Sequence, residues 1–546
     1  MRYAVWPEIR KTPLVTIQRL FRALGLAVLI APSSLPSAYP IQGTFLNFYR
    51  NLTPELWALE FQSMKSADIN TIVIVSVGHL QASATQALSC SVGASGSYTD
   101  SSGYGLAGDG LLYPSDFVSP AQRPTADLLE MVLELADSAG MNVYLSSLQT
   151  ATDWMDGTEF CALREYNQQV ATEIVQRYGH HSSFKGWYFT QEVWMNWVKY
   201  YGQQHGAGAT GYYGTNLMAE WVNDMKAIDA TKLTSAAVVV KESGTGAMPG
   251  LTAGELQQWT ASFLQTAKLD ILMPQDGAGA QAGAPLLSDL PVYFAAMSAA
   301  IPAAGAHTAL WSTLELFTAS SDPKVSGEQY RPTNDTSRIQ TQVNAVRPFV
   351  SGYVSWMFGD DMSPQATYYP VEADELNRQY KYTFKPEEAP NDDVLLLQSY
   401  SYPSQQPDAR YPDSSAVPML SDGTGGGYNG NSLTSWVGFS NPNFRPATVQ
   451  IVGDLGTIQT IHSVRVLAQS WVNTGILHPS RMVAEASQDG VNWTAFGMST
   501  SFPSDTQNFA VVWGEVDGSA SARFVRWTFT YSEWLMLAEL EVVGSK

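Results

Sequence analysis

The sequence has few charged residues, few cysteines and few basic side chains. Charged residues make up 15% of its 546 positions, against roughly 25% in an average soluble domain. The sequence has 30 Lys and Arg residues and 50 Asp and Glu residues, which gives a net charge of −20. Nucleic acids and anionic membrane surfaces are bound by clustered Lys and Arg, so this balance argues against both partners. No segment reaches 18 apolar residues, so we expect no membrane span.

The N-terminal segment has the order of an export signal. A basic stretch is followed by the apolar run Ala23–Ala31 and then by small and turn residues up to Pro40. We therefore predict that residues 1–40 are a signal peptide and leader and that the protein is secreted; a loosely attached helix is the alternative.

Only two cysteines are present, Cys90 and Cys161. In an exported chain an even count favours a disulfide between them, and two buried free thiols are the alternative.

Aromatic residues are abundant where charge is scarce. They make up 12% of the chain and include 16 Trp and 26 Tyr. Together with many Gly, Ser and Thr, they are typical of a secreted protein that handles a neutral or cationic ligand.

Short apolar runs alternate with amphipathic ones over residues 41–386. Thr53-Pro54-Glu55 is typical of a helix start, and Gly140 of a helix end. Eight strand–helix units predict a (β/α)8 TIM barrel, with an open doubly wound sheet as the alternative. The predicted strands are Gly43–Phe48, Thr71–Val77, Asn142–Leu148, Gly186–Thr190, Thr234–Val240, Asp270–Met273, Thr308–Thr313 and Tyr353–Phe358.

The pattern changes after a polar, acidic linker at residues 387–393. Residues 394–546 contain short alternating runs with no helical period, which predicts an antiparallel β-sandwich. The predicted strands are Thr448–Val452, Ser463–Leu467, Met482–Ser487, Arg523–Phe529 and Glu539–Val543.

Carboxylates follow several of the predicted barrel strands. Glu192 ends the fourth strand, Asp276 follows the sixth and Glu315 ends the seventh. Active sites of such barrels lie at the carboxyl ends of the strands. A glycosidase needs one carboxyl as acid and another as nucleophile or base, so we predict that these three residues are catalytic and leave open whether Asp276 or Glu315 partners Glu192. Alternatively, each acid caps a helix or pairs with an Arg.

Polar and aromatic residues near the strand ends and in loops are candidate sugar contacts, because aromatic rings stack on pyranose faces. Some of the tryptophans must instead be core. The candidates are His79, Trp154, Gln191, Trp194, Gln275, Trp311, Asp360, Trp471 and Trp534.

The first domain resembles a known family. Gly43-Thr44-Phe45-Leu46-Asn47-Phe48, Ile69-Asn70-Thr71-Ile72-Val73-Ile74, Tyr113-Pro114-Ser115, Gly186-Trp187-Tyr188 and Pro274-Gln275-Asp276-Gly277 are similar to family 4434 of the domains of unknown function, which are glycoside-hydrolase-like barrels. The resemblance implies carbohydrate chemistry and gives Glu192 the position of an acid/base. Gln191 stands where related barrels usually carry Asn.

The second domain resembles the discoidin, or factor 5/8 type C, jelly roll, a carbohydrate-binding module in many proteins. The matching residues include Leu420-Ser421-Asp422-Gly423, Asp454-Leu455-Gly456, Ser487-Gln488-Asp489-Gly490 and Glu539-Leu540-Glu541-Val542. The resemblance implies a structural Ca²⁺ ion, with Asp422 as a candidate ligand.

These observations predict a secreted glycoside hydrolase that acts on a polysaccharide, needs no catalytic cofactor and carries a binding module. A non-catalytic carbohydrate-binding or adhesion protein on a degenerate barrel is the alternative.

Overall fold

The structure is a computed structural model. It describes residues 40–47, 52–82, 89–91, 97–99, 104–106, 111–149, 160–196, 217–240, 250–279, 287–319, 330–386, 392–414, 418–428, 435–443, 445–500 and 502–545. The predicted leader lies outside this range except for Pro40. No helix within it is long and apolar enough to cross a bilayer.

Eight parallel strands close into a barrel, which confirms the predicted fold class. Each strand pairs in parallel with the next, and the last strand pairs with the first through Gly43–Val354 and Thr44–Ser355. In order around the barrel the strands are β1 (Gly43–Leu46), β2 (Thr71–Ile74), β7 (Asn142–Ser146), β8 (Phe184–Trp194), β9 (Leu233–Val239), β10 (Ile271–Leu272), β11 (Ala309–Glu315) and β14 (Gly352–Trp356).

Short antiparallel strand pairs are inserted in two of the connections, after β2 and after β11. They are β3 (Leu80–Ala82) with β6 (Tyr104–Leu106), β4 (Ser89–Ser91) with β5 (Ser97–Thr99), and β12 (Phe317–Ala319) with β13 (Tyr330–Pro332).

The helices begin and end with the residues that favour those positions. Thr53 caps the first helix by accepting from the Leu56 N–H, and Gly140 ends the second in the left-handed conformation. The helices are α1 (Pro54–Ser66), α2 (Leu128–Ala139), α3 (Phe160–Tyr178), α4 (Leu217–Ile228), α5 (Ala253–Ala267), α6 (Leu290–Ala303), α7 (Thr336–Val346), α8 (Phe358–Asp361) and α9 (Pro370–Phe384).

Large side chains fill the barrel interior. The ring of Phe45 lies 5.2 Å from that of Tyr188 and 5.0 Å from that of Trp356. Tyr144 meets Trp311 edge to face at 6.1 Å. The interior is therefore a packed core, and any reaction site must lie at the rim, where the loops begin.

The C-terminal domain is an eight-stranded antiparallel sheet, as predicted. Two runs predicted as separate strands, Thr448–Val452 and Ser463–Leu467, belong to one long strand, because two register shifts let it bend without leaving the sheet. The strands are β15 (Asp392–Leu395), β16 (Ser399–Ser401), β17 (Val437–Ser440), β18 (Ala447–Ser470), β19 (Arg481–Ser487), β20 (Thr494–Thr500), β21 (Ala510–Tyr531) and β22 (Trp534–Ser545).

A buried ion-pair network joins the sandwich to helix α9 of the barrel. Arg465 on β18 bonds Asp374 on α9 and Glu541 on β22, each at 2.8 Å. Arg378 on α9 also reaches Glu541, at 3.3 Å. Beside them Val371 packs with residues of the sandwich. The two domains thus share a buried, charged and apolar interface.

Cys161 on α3 is buried and disulfide-bonded. The only other cysteine in the sequence is Cys90, whose side chain lies outside the described residues.

Candidate functional site

The carboxyl ends of β8 to β14 bring the candidate acids to one rim of the barrel. Each acid is at or next to a residue that pairs with a neighbouring strand. Glu192 directly precedes Val193, Asp276 directly follows Gln275, and Glu315 itself pairs with Trp356. The side chain of Glu192 lies outside the described residues, so only its backbone position is established. The register pairs along this rim are Val193–Val238, Gln275–Thr313 and Glu315–Trp356.

Asp276 is almost fully buried, with 1% exposure, and both of its oxygens accept hydrogen bonds. Oδ1 accepts from the N–H groups of Ala278 and Glu315, each at 3.2 Å. Oδ2 accepts from Gln342 Nε2 at 2.6 Å. Burial raises the pKa of Asp276 to about 6, although these hydrogen bonds and the charge of Arg338 oppose the rise. Through its bond from the Glu315 N–H, the Asp276 carboxyl holds the main chain of Glu315 in place.

Glu315 is the last residue of β11 and is 2% exposed. Its Oε2 accepts from the Gly279 N–H at 2.7 Å. A Cβ at position 279 would lie 2.8 Å from this same oxygen and 2.5 Å from the Phe317 ring. Only a glycine lets the backbone come this close, so the turn after Asp276 shapes the surroundings of Glu315.

Helix α7 supplies two polar side chains beneath these acids. Arg338 donates to the carbonyls of Ala278, Glu315 and Phe317 at 2.8–3.2 Å. Gln342 bridges the Asp276 carboxylate and the Glu315 carbonyl, the latter at 3.2 Å. Burial lowers the pKa of Arg338, opposed by the charges of Asp276 and Glu315. The positive charge of Arg338 thus balances the two acids, while its N–H groups donate to main-chain carbonyls.

An aromatic cleft with a cavity volume of about 150 Å³ opens beside Glu315. Trp356, the register partner of Glu315, forms part of its wall. Two acids from α8 also face it; Asp360 is half-buried, and Asp361 accepts from the Met357 N–H at 3.2 Å. The other lining residues are Phe317, Tyr330, Arg331, Pro332, Met357, Tyr368 and Tyr369.

Three further predicted contacts lie along the same rim. His79 is half-buried and bridges with Gln149. Gln191 is 1% exposed and donates to the Leu148 carbonyl at 2.8 Å, while its Oε1 has no partner among the described residues. Gln275 is half-buried and bridges with Thr313.

The predicted tryptophans are in different places. Trp194 is half-buried at the end of β8. Trp311 lies inside the barrel near the start of β11, where it pairs with Gly352, so the structure places it in the core and away from the carboxyl rim. Trp154 lies outside the described residues.

Aromatic rings continue from the barrel cleft onto the sandwich. Tyr368, in the cleft wall, lies 6.5 Å from Tyr428 of the sandwich. Tyr428 in turn lies 5.9 Å from Trp471, and its N–H donates to the Thr367 carbonyl at 2.8 Å. Trp534 is also half-buried in this aromatic group and stacks under Arg410 at 4.4 Å.

A second acidic site lies at the turn that contains Asp422. Asp422 accepts from the N–H and the hydroxyl of Thr424, at 2.9 and 2.8 Å. Glu539 on β22 is 4% exposed, accepts from the Gly423 N–H, and has no partner for Oε2 among the described residues. Burial, together with the charges of Glu541 and Asp422, raises the pKa of Glu539 to about 9.

The sequence did not indicate several residues of this site. Arg338 and Gln342 lie on a helix with an ordinary amphipathic pattern, so no local signal distinguishes them. Phe317 and Tyr330 belong to a short strand pair after β11. Their aromatic character was the only available signal.

One comparison with known proteins identifies the family of the first domain. Residues 41–368, more than half of the chain, match the family described as domain of unknown function (DUF4434). No curated protein matches the sequence.

Three solved structures show distant similarity. A protein from Bacteroides thetaiotaomicron assigned as an α-L-fucosidase is 19% identical, with a TM-score of 0.48, over 64% of this chain and 96% of that one. A fucosidase from Ruminococcus gnavus is 10% identical, with a TM-score of 0.31, over 93% of each chain. A chitosan-binding module from Paenibacillus sp. IK-5 is 18% identical, with a TM-score of 0.19, over 27% of this chain and 96% of that one. These similarities are too distant to assign an activity. The match over residues 41–368 shows that the chain belongs to the DUF4434 family.

Proposed function

We propose that this protein is a glycoside hydrolase whose reaction centre lies at the carboxyl rim of the barrel. The observation that carries the proposal is the pairing of Glu315 with Trp356, which sets a buried acid beside an aromatic cleft that also contains Asp360 and Asp361. Aromatic walls with a few carboxyls suit a sugar, whose C–H faces stack on rings and whose hydroxyls need acceptors.

In this proposal Glu192 is the general acid and Glu315 is the nucleophile or, in an inverting reaction, the base. Asp276 is a positioning residue, because both of its oxygens already accept hydrogen bonds from Ala278, Glu315 and Gln342. His79, Gln191, Trp194 and Gln275 are the proposed contacts to the sugar on the opposite side of the rim. No cofactor is needed for acid/base cleavage.

The sandwich is proposed to hold part of a longer saccharide. Tyr368, Tyr428 and Trp471 form a chain of rings from the cleft to the sandwich, with neighbouring centroids 6.5 and 5.9 Å apart. Such a path favours an oligosaccharide or polysaccharide over a single sugar unit. Export is part of the proposal, and the disulfide at Cys161 supports it because disulfides persist in oxidising compartments.

We propose a calcium ion at Asp422, and the residues around it fit one. A buried carboxylate oxygen without a partner, at Glu539, faces a turn that carries another carboxylate. Ca²⁺ takes oxygen ligands of this kind, and a cation relieves the repulsion between the two acids. The ion would brace the turn and takes no part in the cleavage.

The catalytic proposal is tested with Glu315→Gln and Glu192→Gln on a panel of aryl glycosides and oligosaccharides. Each variant is expected to lose about 10²–10⁴-fold in turnover, because each removes one proton-transfer or nucleophilic group. The matched control is Glu134→Gln, the same change at an exposed position on α2. Turnover by both variants at the level of the control would overturn the assignment.

A non-catalytic sugar-binding barrel is the second candidate. The near-complete burial of both Asp276 and Glu315, at 1% and 2% exposure, favours it. It predicts that the wild-type protein retains oligosaccharides on an affinity gel and releases no product, which mass spectrometry of the incubated glycans detects.

A further inference from the structure

Two histidines and a glutamate come together between helix α2 and the connection from α3 to β8. His180 and His181 lie in that connection, and Glu130 lies in the first turn of α2. The three residues can each offer one ligand atom such that these atoms all lie within 4.8 Å of one another. The connection enters β8 at its amino end, whereas the proposed reaction centre is at the carboxyl ends of the strands. The cluster is therefore separate from that centre.

Asp137, two turns along α2 from Glu130, holds the loop that contains the histidines. Its Oδ1 accepts from the Ser183 N–H at 2.7 Å and from the Ser182 hydroxyl at 3.0 Å. Its Oδ2 lies 2.7 Å from His181 Nδ1. The imidazole of His181 is thus held by a carboxylate on one side, with its other nitrogen directed away from Asp137. This is the arrangement that orients metal-bound histidines.

The second nitrogen of His181 faces another carboxylate. Nε2 lies 3.3 Å from Glu130 Oε2, and the side chain of His181 is 5% exposed. An ionised carboxylate only accepts, so the neutral ring donates from Nδ1 to Asp137 and keeps a lone pair on Nε2. Lone pairs on Nε2 and on the Glu130 oxygen repel each other unless a proton or a cation lies between them. A proton would serve these two groups alone, whereas His180 adds a third donor, with its ring 4.2 Å from that of His181.

We propose that Glu130, His180 and His181 bind a zinc ion. Two imidazoles and a carboxylate are a ligand set that suits Zn²⁺ and leaves a fourth position for water. Two ligand atoms about 2.0–2.1 Å from a tetrahedral zinc lie about 3.3–3.4 Å apart, which matches the 3.3 Å between His181 Nε2 and Glu130 Oε2. His180 is exposed, so its side chain is free to turn toward the ion. The inference goes beyond the glycosidase proposal and does not depend on it.

Zinc at this position has a definite structural effect. It joins α2 to the end of α3 through ligands that are 51 positions apart in the chain, Glu130 and His181. The unfolded chain does not hold these ligands together, so bound zinc is expected to stabilise the folded protein. Mg²⁺ and Ca²⁺ prefer oxygen ligands and are expected not to bind to this cluster.

Zinc titration of the full chain, followed by isothermal calorimetry after treatment with a chelator, tests the proposal. The wild type is expected to bind one Zn²⁺ at this cluster and to show a higher Tm in zinc than in EDTA. Glu130→Gln and His180→Ala are each expected to weaken binding at least about tenfold, because each removes a ligand. Glu130 is partly exposed and His180 is exposed, so both variants are expected to fold.

The matched control is His307→Ala, the same change at another exposed histidine, which precedes β11. It is expected to bind zinc as the wild type does. Equal zinc affinity of His180→Ala and His307→Ala would overturn the role of His180 as a ligand. The absence of any zinc binding by the wild type would overturn the site itself and leave Glu130 and His181 as an ion pair.

A spectroscopic readout shows where the ion binds. Zn²⁺ has a filled d shell and no visible absorption, so Co²⁺ takes its place as the probe. The wild type and His307→Ala are expected to show the intense visible bands of a four-coordinate Co²⁺ ion, and Glu130→Gln and His180→Ala to lose most of this intensity. Unchanged bands in both of the latter variants would place the ion elsewhere in the protein.

Discussion

At the scale of single residues, the burial of Asp276 gives the carboxyl rim of the barrel an acid with a raised pKa. Its pKa is raised to about 6 by burial, above the value of an unfolded chain. Keeping the carboxylate ionised in the folded state therefore lowers the free energy of unfolding. This loss of stability is complete above about pH 6 and disappears as the pH falls toward about 4.

We predict that Asp276→Asn removes this dependence. Between pH 7 and pH 4.5 the wild type should gain free energy of unfolding relative to the variant, by an amount on the order of 2 kcal/mol. Urea unfolding at both pH values measures the difference. If the wild type and the variant differ by the same free energy of unfolding at both pH values, the pKa of Asp276 is not raised by folding.

At the scale of elements, the glycine run Gly425–Gly427 before Tyr428 packs the sandwich against the barrel. A Cβ at Gly427 would lie 1.7 Å from the Tyr368 carbonyl oxygen, so no other residue fits without moving the barrel loop. The next residue, Tyr428, donates its N–H to Thr367. The sequence around Gly427 reads as a loop, and only the structure shows that it touches the barrel.

We predict that Gly427→Ala lowers the free energy of unfolding by more than about 2 kcal/mol, because the clash is with main chain and cannot relax by a rotamer change. Gly254→Ala on α5 is the control, since nothing lies within 4 Å of its Cβ. That change is expected to be neutral or to stabilise by up to about 1 kcal/mol, because alanine favours the helix. Thermal or urea unfolding measures the stability of both variants. Equal stability would contradict a close contact between the main chain at Gly427 and the barrel.

The regular elements were predictable from the sequence for local reasons. Doubly apolar runs indicate buried parallel strands, and all eight of the barrel were confirmed to within a few residues. Thr53 and Gly140 marked helix ends because capping depends on one or two side chains. The position of Trp311 was not predictable, because an aromatic residue in a strand has the same local pattern in a core as at a rim. Arg338 and Gln342 were missed because their contacts with Ala278 and Glu315 form only when α7 packs on the barrel.

At the scale of the whole molecule, buried ion pairs join the two domains into one unit. Arg465 of the sandwich is 8% exposed and lies between Asp374 of the barrel and Glu541. Its guanidinium also lies 4.2 Å over the ring of Trp513. Burial opposes its charge, but the two carboxylates outweigh burial and raise the pKa of Arg465. Without Arg465, both buried acids would keep only the longer ion pairs with Arg378, at 3.6 and 3.3 Å.

We therefore predict that Arg465→Met destabilises the protein by about 3–5 kcal/mol and splits its thermal unfolding into two transitions, one for each domain. The matched control is Arg526→Met on the same sheet, whose partner Glu485 is partly exposed, so the loss there should stay below about 1 kcal/mol. Differential scanning calorimetry of the full chain measures both. A single transition in Arg465→Met, at the Tm of the control, would mean that the aromatic contacts from Tyr368 to Trp471 alone hold the domains together. The ion pairs would then contribute specificity of docking and no net stability.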